Sequence, residues 1–179
     1  GVAGGIALGV LQSDVVNVAG VAPIMIYVAR TREVVTISGL GTWPHAITAD
    51  YFATHCGGRI PPGVLRTIVP AAPDAWITAL ERYGTMSFGD CAAAAIRFAR
   101  DGFPMYALMS DMIGMHVDDY RQWPSNAAIY LPGGHVPRPG EVFVQRDLGR
   151  TLQYLADEEK AASTRGRAAG LQAARDAFY

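Results

Sequence analysis

Lysine is nearly missing from this chain: Lys160 is the single lysine among 15 basic residues, the rest being arginine. Cysteine is scarce too. Cys56 and Cys91 stand 35 positions apart, with no CxxC pair and no Cys/His cluster. That spacing excludes a disulfide framework and a structural zinc site, and it makes a reducing compartment, the cytoplasm, the default expectation. No sign of charge dominates, since the formal net charge is −1. A basic footprint for nucleic acid or an anionic membrane is therefore lacking, and neither is expected as a partner. A long apolar run is absent as well. The longest, Gly1 to Leu11, falls short of the roughly 20 residues a spanning helix needs and stops at Gln12 and Asp14. There is no positively charged leader and no initiator methionine. The pattern opens in mid-helix, so a processed product or a fragment is expected. GxSxG, HExxH, P-loop and GxGxxG motifs are all missing. No cofactor, no metal and no catalytic residue are expected within the chain.

What is present is apolar. Half of the 179 residues are hydrophobic, only 17% are charged, and mean hydropathy is +0.15. That composition excludes a disordered chain and is enough for one sizeable core. Residues 1–179 read as a single α+β unit, with a helix and strands over 1–70 and mainly helices over 71–179. Residues 1–17 read as a helix that is small or apolar on every face, hence buried all round. Pro23 to Val28 and Val34 to Ile37, around the polar turn Arg30 to Glu33, read as a hairpin. The unbroken apolar character of its first strand predicts burial on both faces. Leu65 to Val69 reads as another short strand. Trp76, Ile77, Leu80 and Tyr83 give helix 73–83, ended by Gly84. Ser87 with Asp90 forms a capping-box signature for helix 88–100, stopped by Gly102 and Pro104. A helix over 105–120 follows, then loop and short strand from Trp123 to Val144. Asp147 reads as the cap of a helix carrying Leu148, Leu152 and Leu155. A last helix covers 165–178.

Few residues advertise chemistry. Asp111, His116, Asp118 and Asp119 are close in sequence but match no metal spacing, so a solvated helix face is expected. His45 and His55 fall in or near loops and read as surface residues. The stretch Ser38-Gly39-Leu40-Gly41-Thr42-Trp43-Pro44 differs. Two permissive glycines, a large aromatic and a rigid proline follow directly on the hairpin, and loops held by a rigid sheet are where ligand contacts concentrate. It reads equally well as a packed structural turn.

The order of segments resembles the large subunit of the gamma-glutamyltransferase family of N-terminal-nucleophile hydrolases. In that family an alanine-rich helix runs into a glycine-rich turn, then a hairpin, then a loop of the form D-G-R-E-T-A-P. Gly5 to Leu11, Gln12 to Tyr27 and Ala29 to Pro44 follow that layout. Ala79 to Thr85 (A-L-E-R-Y-G-T), Ala93 to Phe103, Ala128 to Gly133, Asp147 to Leu152 and Asp176 to Tyr179 resemble its later landmarks. The resemblance implies part of a four-layer αββα fold, seen here as an incomplete large subunit. It also implies a small-subunit partner, freed by self-cleavage, whose N-terminal threonine is the nucleophile. Two positions depart from the pattern. The glycine-rich turn becomes Gly20-Val21-Ala22-Pro23, and the family's arginine, which pairs with the α-carboxylate of a glutamyl substrate, falls on Leu40. A leucine cannot form that bidentate pair, and losing such a contact costs about 2–5 kcal/mol. S-G-L-G-x-W-P, R-T-I-V-P-A-A-P-D-A-W and W-P-S-N-A-A-I-Y-L-P-G-G resemble the family's oxamate amidohydrolase branch, linked to purine nitrogen catabolism. That likeness implies hydrolysis of oxamate to oxalate and ammonia. It makes Gly39, Leu40, Gly41, Thr42 and Trp43 the candidate substrate-binding residues for a small amide, with Arg66 a candidate cation or an ordinary salt-bridge partner. A gamma-glutamyl hydrolase or transpeptidase, a β-lactam side-chain acylase and a non-catalytic relative remain as alternatives.

Overall fold

The computed structural model describes residues 1–179. Helix α1 (Val2–Leu11) leads through turns into strands β1 (Ile24–Val28) and β2 (Glu33–Ile37), then helix α2 (Ala49–His55). Helices α3 (Ala72–Tyr83) and α4 (Phe88–Asp101) follow, then the two-residue strand β3 (Phe103–Pro104). Helices α5 (Ala107–Met115), α6 (Val117–Arg121) and α7 (Pro124–Tyr130) precede strand β4 (Val142–Phe143), and α8 (Arg146–Ala162) and α9 (Arg167–Phe178) close the chain.

The core forms where α4 meets α1 and α8, and α8 meets α9. Ile6 and Val10 of α1, Phe88 and Ile96 of α4, Leu152 and Leu155 of α8 and Leu171 of α9 are all buried in it. Ala92, Ala95 and Ala99 of α4 are 0% exposed, and Ala99 lies against Gly149 of α8. A Cβ on Gly149 would sit 3.2 Å from the Arg100 backbone nitrogen, so α8 is in near-backbone contact there. Two buried polar groups tie the helices together. Gln145 donates from Nε2 to the Val10 carbonyl at 2.7 Å, and its backbone N–H donates to the Ala99 carbonyl at 2.9 Å. Glu159 accepts from the N–H groups of Phe88 and Gly89 at 2.7 and 2.8 Å. The capping box of Ser87 and Asp90 on α4 is present, as its signature predicts.

Several expectations are corrected. Helix α1 ends at Leu11, not at 17, and is not buried all round: Leu8 is 48% exposed. The hairpin forms with Ile24 opposite Ile37 and Ile26 opposite Val35. Its faces differ, however. Ile24, Ile26 and Val28 are half-buried, while Met25, Tyr27 and Val34 are 74%, 63% and 60% exposed. Ile24 packs on the helical core and α3 contacts β2, while the face carrying Met25, Tyr27 and Val34 is open in this chain. Leu65 to Val69 is no strand; Val64–Arg66 is a 3₁₀ turn, and Val69 makes a single backbone bond to Thr42. The helix over 105–120 is broken at His116. Residue 147 lies in the first turn of α8, and Gln145 takes the N-cap position. The short helix α7 stands where loop and short strand were expected, and α2 falls in a stretch to which no element was assigned. For α7 the signal is Pro124 at its first position, where a missing N–H costs nothing.

Behind the end of α1 lies an aromatic row. Tyr120 and Tyr130 have centroids 4.8 Å apart, Tyr130 and Phe143 5.8 Å, and Tyr130 donates to the Ser13 carbonyl at 3.1 Å. Burial, helped by Tyr130 and Asp14, pushes the Tyr120 phenol up to about 12. An unfolded phenol titrates near about 10. The stability contributed by neutral Tyr120 is thus complete below about pH 10 and is lost as pH rises toward about 12. In an ultraviolet phenolate titration of the folded protein, Tyr120→Phe should remove one late-titrating tyrosine. An unchanged high-pH limb would contradict that burial.

Candidate functional site

The loop after β2 is defined by where its backbone touches its neighbours. Gly39 has φ +54 and its carbonyl accepts the Ala22 N–H at 2.9 Å. A Cβ there would lie 2.0 Å from the Ala22 oxygen, so only glycine fits. Two residues on, a Cβ at Gly41 would lie 2.1 Å from the Val69 oxygen, and the Thr42 carbonyl accepts the Val69 N–H at 2.8 Å. The Gly20 carbonyl takes both the Ala71 and Ala72 N–H groups at 3.0 Å. The stretches 20–22, 39–42 and 68–72 are thereby laced into one irregular layer whose shape is set by backbone crossings. Those crossings explain the spacing of the two glycines.

Between the crossings Leu40 is 61% exposed and Trp43 36% exposed, and Thr42 is exposed as well. Trp43 is in ring contact with Phe52 of α2, their centroids 4.9 Å apart at 60°. The loop therefore presents a leucine, a hydroxyl and an indole on a rigid base. No side-chain cation belongs to it.

The other candidates do not join it. Arg66 is exposed and donates to the Ile60 carbonyl at 3.1 Å, so the ion pair expected as its ordinary role is not formed. His45 and His55 are exposed. His116 reaches Asp119 at 3.4 Å and Asp118 reaches Arg121 at 3.3 Å on the surface. No three His, Cys, Asp or Glu side chains are grouped to hold an ion. Cys91 is 4% exposed, and burial beside Asp90 pushes its thiol up. A buried thiol held protonated is a poor nucleophile.

Two large clefts lie elsewhere. One, of about 850 Å³ and mostly apolar, runs between α1, β1 and α3 past Val2, Ile24, Trp76 and Tyr83. The other, of about 860 Å³, is polar and follows α4, α8 and α9. The loop from Gly39 to Trp43 lies outside both. Phe52, which the sequence reading passed over, is the contact it missed. Its signal was a lone aromatic pair, Tyr51-Phe52, between Pro44 and Gly57-Gly58.

The family model for Gamma-glutamyltranspeptidase matches residues 1–174. The chain is 31% identical to the Acylase ACY 1 proenzyme of Pseudomonas sp. (strain V22) over 162 residues, 85% of this chain and 29% of that protein. It is 26% identical to the glutathione hydrolase proenzyme of Bacillus subtilis (strain 168), over 90% of this chain and 28% of that one. The oxamate amidohydrolase proenzyme of Klebsiella pneumoniae is 35% identical over a shorter stretch, 37% of this chain and 12% of that protein. Among solved structures, the gamma-glutamyltranspeptidase of Helicobacter pylori superposes with a TM-score of 0.81 at 24% identity, over 90% of this chain and 47% of that one. The chain thus spans less than a third of the length of these curated relatives.

Proposed function

Because the chain belongs to the gamma-glutamyltranspeptidase family, we propose that it is the early part of the large subunit of an amide hydrolase made as a self-cleaving precursor. The observation that carries this reading is the family match through residues 1–174, together with relatives that are themselves proenzymes. In this reading residues 1–179 act as one unit of a four-layer αββα fold in a cytoplasmic enzyme that needs no cofactor. The second layer covers the open hairpin face at Met25, Tyr27 and Val34. The nucleophile is a threonine at the new N-terminus of the small subunit. Its hydroxyl attacks the amide carbon while its own α-amine takes the proton, and backbone N–H groups hold the oxyanion.

The contribution of this chain is the wall formed by Gly39, Leu40, Gly41, Thr42 and Trp43. Our first substrate is oxamate, whose carboxylate adjoins the scissile amide. A carboxylate taken out of water needs hydrogen-bond donors. Thr42 and Trp43 offer neutral ones suited to a small planar anion, and Leu40 leaves no cation for a glutamyl α-carboxylate. A second reading, acylase or gamma-glutamyl hydrolase, is favoured by the longer matches to the acylase and glutathione hydrolase relatives.

The test uses the full-length protein. Mass spectrometry should find two chains, one beginning with threonine. Activity is then compared on oxamate, a glutaryl amide and γ-glutamyl-p-nitroanilide. A single uncleaved chain inactive on all three would instead indicate a non-catalytic relative. Within the active enzyme, Trp43→Ala is expected to raise KM for oxamate by about three- to tenfold and to relax exclusion of longer acyl groups, with self-cleavage unaffected. Steady-state constants equal to wild type on both short and long amides would make the loop a structural turn.

A further inference from the structure

Trp43 differs from the rest of its loop in what holds it. Gly39, Gly41 and Thr42 are pinned through backbone, whereas the indole is held through its ring. The ring it meets, Phe52, is 7% exposed and is the one buried residue of α2. It is buried outside the main core, which draws on α1, α3, α4, α5, α8 and α9 but not on α2. Tyr51 lies edge-on to Phe52 at 5.5 Å and 83°, and His55 lies 4.9 Å from Tyr51. The segment closes on itself at both ends. The Pro44 carbonyl accepts the Ile47 N–H at 2.9 Å, and the Phe52 carbonyl accepts those of Cys56 and Gly58 at 3.0 and 2.8 Å. Gly57 and Gly58, at φ +60 and +76, make the turn that ends α2. Residues 43–58 thus carry their own small aromatic cluster, and its inner end is the Trp43–Phe52 contact.

We propose that Phe52 is a positioning residue: by packing on Trp43 it fixes the indole at the edge of the loop and so sets which acyl group the site admits. This rests on the reading of the loop as a substrate wall. A tilted aromatic pair at this separation favours the packed indole over a free one by about two- to twelvefold beyond its area, enough to select one orientation over another. Because Phe52 stands apart from the core, its removal should free Trp43 without loosening the helices.

The experiment uses full-length, processed enzyme labelled with 5-fluorotryptophan, the Trp43 resonance being assigned by its loss in Trp43→Phe. In Phe52→Ala that resonance should narrow and move toward the solvent-exposed shift, while Phe52→Tyr, which keeps a ring, should leave it in place. Phe52→Leu covers a failure of the alanine variant to mature, and should give a smaller displacement. The ratio of kcat/KM between oxamate and γ-glutamyl-p-nitroanilide should shift in the direction that Trp43→Ala shifts it. In a Trp43→Ala background, Phe52→Ala should change KM by less than about 1.5-fold on whichever of the two the wild type hydrolyses, since the interaction is already gone. An unmoved Trp43 resonance in both Phe52→Ala and Phe52→Leu overturns the positioning. A Phe52→Ala effect that persists whole in the Trp43→Ala background means that Phe52 acts by another route, and also overturns it. Wild-type kinetics in Trp43→Ala with a displaced resonance in Phe52→Ala overturn the substrate-wall reading, and selection with it, while the packing contact stands.

Discussion

Glu159→Ala should lower the unfolding free energy of the protein by about 3–6 kcal/mol, the sum of two hydrogen bonds to a charged acceptor at about 1.5–3 kcal/mol each. Helix α4 begins in the interior: Phe88, its first residue, is 0% exposed. The leading N–H groups of a helix have no partner within it, and here water cannot reach the first of them. Glu159 of α8 supplies both oxygens to Phe88 and Gly89, and the Ser87 hydroxyl takes the next N–H, that of Asp90, at 3.0 Å. A carboxylate at that end also meets the positive pole of the helix dipole. Alanine would strand two donors beside Phe88 and remove a link between α4 and α8, whose packing is the most extensive in the chain. Glu159→Gln keeps one acceptor and turns an amide N–H₂ toward a donor, so about half the loss is expected. Chemical denaturation gives the magnitude, and hydrogen exchange at the start of α4 locates it. Wild-type stability in Glu159→Ala would show that the cap contributes nothing.

Gly39→Ala should cost about 2–5 kcal/mol and should strip the loop of its shape. A left-handed backbone costs a non-glycine residue about 1–2 kcal/mol. The new Cβ would also meet the Ala22 oxygen at 2.0 Å and the Ala22 carbonyl carbon at 2.5 Å. Those are backbone atoms just before β1, so no side-chain rotation relieves the contact, and forced displacement in a packed region adds about 1–3 kcal/mol. Relief requires breaking the Ala22-to-Gly39 bond and lifting the loop off the hairpin. If the loop is a substrate wall, activity on the amide that the wild type hydrolyses should fall by at least tenfold, a barrier increase of about 1.4 kcal/mol. Gly140→Ala is the control. It too has a positive φ, +90, but nothing lies within 4 Å of its Cβ, so it carries the backbone strain without the collision. Equal stability of the two variants would mean that the close approach at Ala22 is not rigid.

The glycines of the candidate loop were legible as a pair, but not their reasons. Sequence shows Gly39 and Gly41 as permissive points after a hairpin. Only the fold shows that one is required by Ala22 and the other by Val69, residues 17 and 28 positions away along the chain. Trp43 could be read as a candidate, but its partner Phe52 could not. A seven-residue helix that buries one side chain has too short a period to register. Glu159 lies in the charged run Asp157 to Lys160. Its burial is invisible locally, because the donors it meets are 70 and 71 residues away.

What the sequence determined by itself is local and periodic. The capping box at Ser87 and Asp90, the stop at Gly102, the hairpin around Arg30 to Glu33 and the long helices α3, α4, α8 and α9 depend on neighbours within about four residues. Propensity, capping and apolar spacing act over that range. The order of its motifs also carried the family likeness. Tertiary structure alone decided which apolar surfaces are covered. β1 reads as buried on both faces, yet Met25 and Tyr27 stand open, because burial depends on what else is present to pack against a face and not on the face itself. It also decided the break at His116, the loss of the 65–69 strand to a turn, and the meeting of Trp43 with Phe52. Each of these is set by contacts between distant segments, whose energies do not appear in any window of neighbouring residues.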